Sequence, residues 1–386
     1  MAGKSKVLML LSNPFRPDPR VHREAESLVR AGYGVTVLCW DRDGQHPAEE
    51  GVGGISVKRL GPASGYGDAM RVARDLPKFW RNSRRAAAGM DFDIVHAHDL
   101  DTLSPGLKIA KMRKAPLIYD SHEIYHEMAG ENLSPILTRF LAAYERRMAR
   151  KPALILTVNE PIADVFRGFG CRDVRVVMNC QPDPKVDPAQ ASALRARMSP
   201  EGRPIALYVG VLEPNRLLIE LAEAQAASDN GMVLAIGGFG SLSSRLAEIA
   251  KGSGGKVILI GKVSPSDVPA HNAAASVLLA AYDPALRNNR MGAPNKLFEA
   301  MAASRPIVVA EGTYASEVVV NTGCGLAARY DARDVLAAVS ELCSDRSLHE
   351  RCSSAGRKAF EAEYNWGVME KRLLAAYSDL LGKGPD

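Results

Sequence analysis

The sequence predicts an α/β protein made of two Rossmann-like, doubly wound domains in tandem, facing a cleft. Three observations point there. The chain has 386 residues, enough for two domains that each bury a core. Short apolar, β-rich runs alternate with amphipathic helical stretches along both halves, and near-continuous apolar strands of this kind belong to parallel sheets covered on both faces. Between the two series lies a polar stretch, Gln181 to Pro204, carrying Pro182, Pro184, Pro188 and Pro200.

The first series opens with KVLMLL (6–11), a helix from Arg20 to Ala31 that Gly32 stops, and GVTVLCW (34–40), together a βαβ unit. It continues through DIVHAH (93–98), PLIYDS (116–121), LILTV (154–158) and VRVVMN (174–179). The second holds IALYVG (205–210), MVLAIGG (232–238), KVILIG (256–261), SVLLAA (276–281) and PIVVA (306–310), each followed by helical sequence. These runs predict a first domain over residues 1–183, a linker region over 184–203 and a second domain over 204–363. Apolar positions at helical spacing predict a closing helix over about 364–382 that packs back on the first domain. Ligands bind at the carboxyl ends of the strands in such folds, so the loops after the strands are where site residues are sought.

Composition narrows the function. Hydrophobic residues at 46% and charged residues at 24% fit a folded globular chain. The first 183 residues carry 27 basic and 22 acidic side chains, which accounts for the whole net charge of +5 but is too dilute for a nucleic-acid footprint. The six cysteines form no CxxC pair, so neither a disulfide framework nor a zinc knuckle is indicated. Val7 to Leu11 is too short for a secretory apolar region, and no run approaches the roughly 18 apolar residues of a membrane span. The expectation is a cytoplasmic protein, peripheral at the inner face of the membrane at most. The segment 71–85 sets Arg71, Arg74, Lys78, Arg81, Arg84 and Arg85 among Val72, Leu76, Phe79 and Trp80, with a bend near Pro77. It reads as a basic amphipathic helix, either a solvated face or a contact with anionic lipid.

The most informative segment is GAPNKLFEAMAASRPIVVA, residues 292–310. Pro294 suits the first turn of a helix, and the free amides of Asn295, Lys296 and Leu297 would then head it, where the helix dipole favours a phosphate. Glu299, four residues after Asn295 and on the same face, can accept hydrogen bonds from sugar hydroxyls.

Here the chain resembles the retaining glycosyltransferases of family four, which have the GT-B fold and use nucleotide-sugar donors. The resemblance covers nearly the whole chain. It includes the opening NPFRPDPRVHREAESLVRAGYGVTVLCW, the HAHD and YDSHE strand ends, the YVGVLEPNR turn and the PNKLFEAMAASRPIVV block. It implies that this last block binds the donor nucleotide, with Glu299 on the ribose diol. It also implies that Arg216, in the turn after Gly210, grips the diphosphate, and that His122 reaches the donor sugar near the reacting carbon. Asp18 and Arg20 follow the first strand on the side where the acceptor is expected. Two positions depart from the family pattern. Met291 stands where the family carries the first of two glutamates, and Val211 where it usually carries an arginine. Asn289, with Arg287, Asn288 and Arg290, offers polar contacts from the same loop as Met291.

The resemblance implies transfer of a sugar from a nucleoside diphosphate sugar to a glycan, lipid-linked or small-molecule acceptor with retention, and no metal or other cofactor. The two departures leave a sugar-nucleotide-binding subunit as the alternative. HEIYH at 122–126 spells the zinc-hydrolase HExxH motif, but the β-rich run Leu117 to Tyr119 ends a strand there, whereas the motif needs a helix. GGFGSL (237–242) lacks the third glycine of a dinucleotide fingerprint. The acidic pairs Asp41/Asp43, Asp91/Asp93 and Asp99/Asp101 imitate a metal-binding DxD, and His96 and His98 with Asp99 and Asp101 read as a buried strand ending in polar residues.

Overall fold

The apolar run that opens the chain becomes the first strand of a parallel sheet in the computed structural model, which describes residues 5–16, 18–65, 69–130 and 133–382. The chain divides into two units: Met1–Asn179 together with Met369–Asp386, and Cys180–Val368.

The first unit runs β1 (Lys6–Leu11), α1 (Pro19–Arg30), β2 (Gly34–Trp40), β3 (Glu49–Val52), β4 (Ile55–Leu60), α2 (Ala69–Ala88) and β5 (Ile94–His98). It continues with α3 (Leu100–Arg113), β6 (Leu117–Ser121), α4 (Tyr125–Gly130), α5 (Pro135–Ala149), β7 (Leu154–Thr157), α6 (Glu160–Gly168) and β8 (Val174–Val176). The strands form one eight-stranded sheet in the order β3-β4-β2-β1-β5-β6-β7-β8. Every pairing is parallel except β3 with β4. That pair is a hairpin the periodicity missed, because β4 alternates buried Ile55 and Val57 with exposed Ser56 instead of running apolar. Gly53 and Gly54 turn it, both at positive φ, as a two-residue hairpin turn of the primed type requires.

The second unit runs α7 (Pro188–Met198), β9 (Ile205–Val211), a 3₁₀ turn Pro214–Arg216, α8 (Leu218–Ala227), β10 (Val233–Phe239), α9 (Ser243–Gly252), β11 (Val257–Gly261), α10 (Val268–Ala274) and β12 (Val277–Ala280). It goes on through α11 (Arg287–Met291), α12 (Asn295–Ala302), β13 (Ile307–Ala310), α13 (Tyr314–Thr322), β14 (Gly325–Ala328), α14 (Ala332–Ser344), α15 (Arg346–Ala362) and the start of α16 (Trp366–Leu380). Its six strands, ordered β11-β10-β9-β12-β13-β14, are all parallel.

One expectation needs correction. The stretch read as a linker, 184–203, holds helix α7. Pro188 sits in its first turn, where a missing N–H costs nothing, Asp187 caps it through the Ala189 amide, and Arg195 ties it to the Ala274 carbonyl of the second unit at 2.9 Å. The segment 71–85 lies in one helix, α2, that runs on through Pro77. Its apolar residues face inward: Phe79 is buried and stacks on Trp40 at 5.1 Å, and the Trp80 indole donates to the Asp101 carbonyl. Its cations face out, with Arg74 and Lys78 paired to the buried Asp75.

Residues 369–382 return to the first unit. Met369, Leu373, Ala376 and Tyr377 are buried there, and Arg175 pairs with Asp379 at 2.5 Å. Among the described residues no helix is long and apolar enough to cross a membrane, and all six cysteines are free.

Candidate active site

In the second unit, the carboxyl ends of β9 and β12 and the head of α12 bring two cations to one aromatic side chain. Tyr282, just past β12, has the Arg216 guanidinium 3.9 Å above its ring and its hydroxyl 3.4 Å from the Lys296 ammonium. Lys296 also lies 4.5 Å over the Tyr208 ring. Burial alone would lower the Lys296 pKa, but Tyr282, Tyr208 and Glu299 outweigh it, and the group stays cationic. Gly210 makes room for this lysine: a Cβ there would stand 2.6 Å from Nζ.

Arg216 is aimed by Asn289, whose side-chain oxygen accepts from Nη1 at 3.1 Å while its amide donates to the Asp283 carbonyl at 3.2 Å. Met291, half-buried, ends the same helix, so the polar contact this loop makes to Arg216 comes from Asn289. Glu299 is half-buried on α12 with Asn272 of α10 at 3.5 Å, and burial raises its pKa while Lys296 pulls it down.

The head of α12 differs from expectation in one respect. Pro294 is the cap residue, and the Leu297 amide donates to its carbonyl at 2.9 Å, so that amide turns back into the first turn of the helix. The ammonium of Lys296, with Tyr208, Tyr282 and Asn272, joins the site that the sequence pattern marks only through the Lys296 amide. Tyr208 within β9 and Tyr282 just past β12 were the signal available.

The first unit carries a second constellation at the ends of β5 and β6. His122 follows β6 directly, its Nε2 3.1 Å from Asp120 and its Nδ1 3.6 Å from Asp99. Burial and Arg20 act to lower its pKa, and the two carboxylates outweigh them and raise it. Asp99 adopts φ 62, a left-handed conformation uncommon for a residue with a side chain, and its carboxylate also accepts the His122 amide at 3.4 Å. Asp120 in turn faces His98 at 3.4 Å and His96 at 3.6 Å, and His96 Nδ1 lies 2.6 Å from the Tyr377 hydroxyl.

Glu24, His96, His98 and Asp120 present donor atoms within 4.8 Å of one another, all buried. Protons balance much of this charge. Burial and the neighbouring Asp120 push Glu24 well up, burial holds His96 neutral with a pKa of about 4, and Asp120 stays ionised because the histidines outweigh its own burial. Arg20 Nε and Nη1 are buried nearby with no hydrogen-bond partner. Asp18 is committed to structure, capping α1 through the Val21 amide and accepting from Asn13 at 2.8 Å. The HEIYH reading fails on geometry: His122 ends a strand, while His126 lies on α4 and is held by Glu145 at 2.7 Å.

Both units match described families. The profile described as "Glycosyl transferase 4-like domain" fits residues 17–180, and "Glycosyl transferases group 1" fits residues 203–345. A glycogen synthase of Mycobacterium tuberculosis is 26% identical over 92% of this chain and 89% of its own. Among solved structures, a sucrose-phosphate synthase from Thermosynechococcus elongatus superimposes with a TM-score of 0.80 at 17% identity, covering 98% of this chain and all of that one (100%). HepE of Anabaena, in complex with UDP and glucose, gives 0.71 at 16% identity over 97% of this chain and 100% of its own. The fold is therefore GT-B, and the chain belongs to the GT4-type glycosyltransferases.

Proposed function

We propose that the chain transfers a sugar from a nucleoside diphosphate sugar to an acceptor hydroxyl with retention of configuration, in making a surface polysaccharide, a lipid-linked glycan or a glycosylated natural product. The observation that carries this reading is the pair of cations, Arg216 and Lys296, on either side of Tyr282 beside the head of α12. As the glycosidic bond breaks, negative charge gathers on the leaving diphosphate, and fixed cations with helix-head amides stabilise it without a metal. Glu299 is placed to accept from the ribose hydroxyls. His122, held by Asp99 and Asp120, supplies a donor to the sugar or the acceptor. The structure of HepE with UDP makes UDP-glucose the first donor to try. Six free thiols fit a reducing, cytoplasmic setting.

The test is donor turnover with and without EDTA, followed by NMR of the product's anomeric proton. The expected result is diphosphate release that EDTA leaves unchanged and a product with the donor's configuration. Inverted product contradicts retention, and loss of activity restored by manganese or zinc contradicts the metal-free reading. Binding without turnover for any donor would favour a sugar-nucleotide-binding subunit, the reading that Met291 and Val211 motivate.

A further inference from the structure

We propose that the outward face of α5 docks on an anionic lipid bilayer. Elsewhere among the described residues the exposed large apolar side chains include one cross-strand pair, Val211 with Phe239, but no run along one helix. On α5 they are collected: Ile136 is 68% exposed, Leu137 55%, Phe140 70% and Tyr144 38%. At about 100° per residue these four fall within an arc of roughly 100°. Toward its C-terminal end the helix buries Glu145, Met148 and Ala149, which anchor it, while the four apolar side chains stay in solvent.

Charge decides what covers that outer face. Arg139, Arg146 and Arg147 are exposed on α5, and Arg150 and Lys151 follow it. Its one acid, Glu145, is buried and taken up by His126 and by the amides of Tyr125 and His126. The outer surface is thus apolar and cationic with no exposed carboxylate. A second copy meeting it face to face would set like charges together. Anionic headgroups over acyl chains complement both features, and an aromatic side chain such as Phe140 or Tyr144 suits the boundary between them.

The cations of α2 add to this. Helices α2 and α5 both connect parallel strands crossing the sheet in the same direction, β4 to β5 and β6 to β7, and right-handed crossovers place both on one face of the sheet. Of the apolar side chains of α2, Phe79 is buried, Val72, Leu76 and Trp80 are half-buried, and Met70 alone among the large ones is exposed, so α2 contributes mainly charge and insertion falls to α5. The chain enters α5 from β6 by way of His122 and α4, so the stripe begins toward the carboxyl ends of the strands, where His122 lies. A bilayer held there would present an amphiphilic acceptor to that end of the sheet. This last point rests on the proposed glycosyl transfer; the docking does not.

Co-sedimentation of the full chain with vesicles of phosphatidylcholine alone, or mixed equally with phosphatidylglycerol, tests it. Wild type is expected to bind the anionic vesicles and to bind them less as salt rises. The surface variant Ile136→Ser/Phe140→Ser should lose about tenfold or more of that binding with an unchanged melting temperature. Phe140→Trp should show a blue-shifted emission with anionic vesicles only. The proposal is overturned if wild type stays in solution with both vesicle types, or if the double variant sediments as wild type does. It is also overturned if the wild type is a dimer that the double variant splits, which would make the stripe a protein contact. Turnover of a soluble acceptor is read separately, so failure of the docking and failure of the transferase reading are distinguishable.

Discussion

Gly210 and Glu299 can be tested one side chain at a time. Gly210→Ala places a methyl group where the Lys296 ammonium now lies, and a flexible side-chain end moves aside at little cost in stability. The expected outcome is a nearly unchanged melting temperature and a weaker affinity for nucleoside diphosphate by calorimetry; a loss of stability instead would show that the lysine's position is structural. Glu299→Ala should weaken the same affinity by about 1–3 kcal/mol, because bound sugar hydroxyls would lose their acceptor. Unchanged affinity in a folded variant would remove Glu299 from the site. For His122 the sign is fixed by its raised pKa. The folded state holds that proton more tightly than the unfolded state, so the group's stabilisation is fully present below about pH 6.5 and fades as pH rises through the folded value. Asp99→Asn removes one of the carboxylates that raise it, and an NMR titration of the imidazole should show the pKa fall. If it does not move, the strained Asp99 does not tune His122.

At the scale of elements, what the sequence made legible followed from burial. Strands covered on both faces announce themselves as apolar runs, and β1, β5, β6 and β7 and the strands β9 to β13 lie where those runs stand. The antiparallel β3–β4 pair escaped because one face of β4 is polar, and α7 escaped because a proline that breaks a helix interior also starts a helix well, as Pro188 does. The basic helix was legible in its spacing, but which way its apolar stripe faced depended on Trp40, some forty positions away in sequence. GGFG, weak as a dinucleotide fingerprint, has a packing reason: a Cβ on Gly238, at φ 136, would meet the Gly210 carbonyl oxygen at 1.7 Å. Gly238→Ala must therefore displace backbone at the end of β9, and a loss of roughly 2–4 kcal/mol in denaturant unfolding is expected. Stability within about 0.5 kcal/mol of wild type would mean that the two strand ends are loosely joined.

Across the whole molecule, the two series of βα units in the sequence correspond to two sheets with separate cores, and each sheet ends in a polar constellation of its own. The family resemblance singled out Arg216, Glu299 and His122 as candidates. The tyrosines that gather the cations, and the network Asp99, Asp120 and His96 behind His122, needed coordinates, since they join residues from separate strands and, through Tyr377, the last helix of the chain. The central claim is that the second unit binds a nucleoside diphosphate through Arg216, Lys296 and Glu299. Calorimetric titration of the full chain with UDP, GDP, ADP and TDP, repeated on Arg216→Ala and Lys296→Ala, tests it most directly. The account predicts that at least one diphosphate binds wild type and that each variant binds it about tenfold more weakly or worse, as expected when a desolvated charge contact to phosphate is lost. Binding of none of the four, or equal binding by the variants, would contradict it.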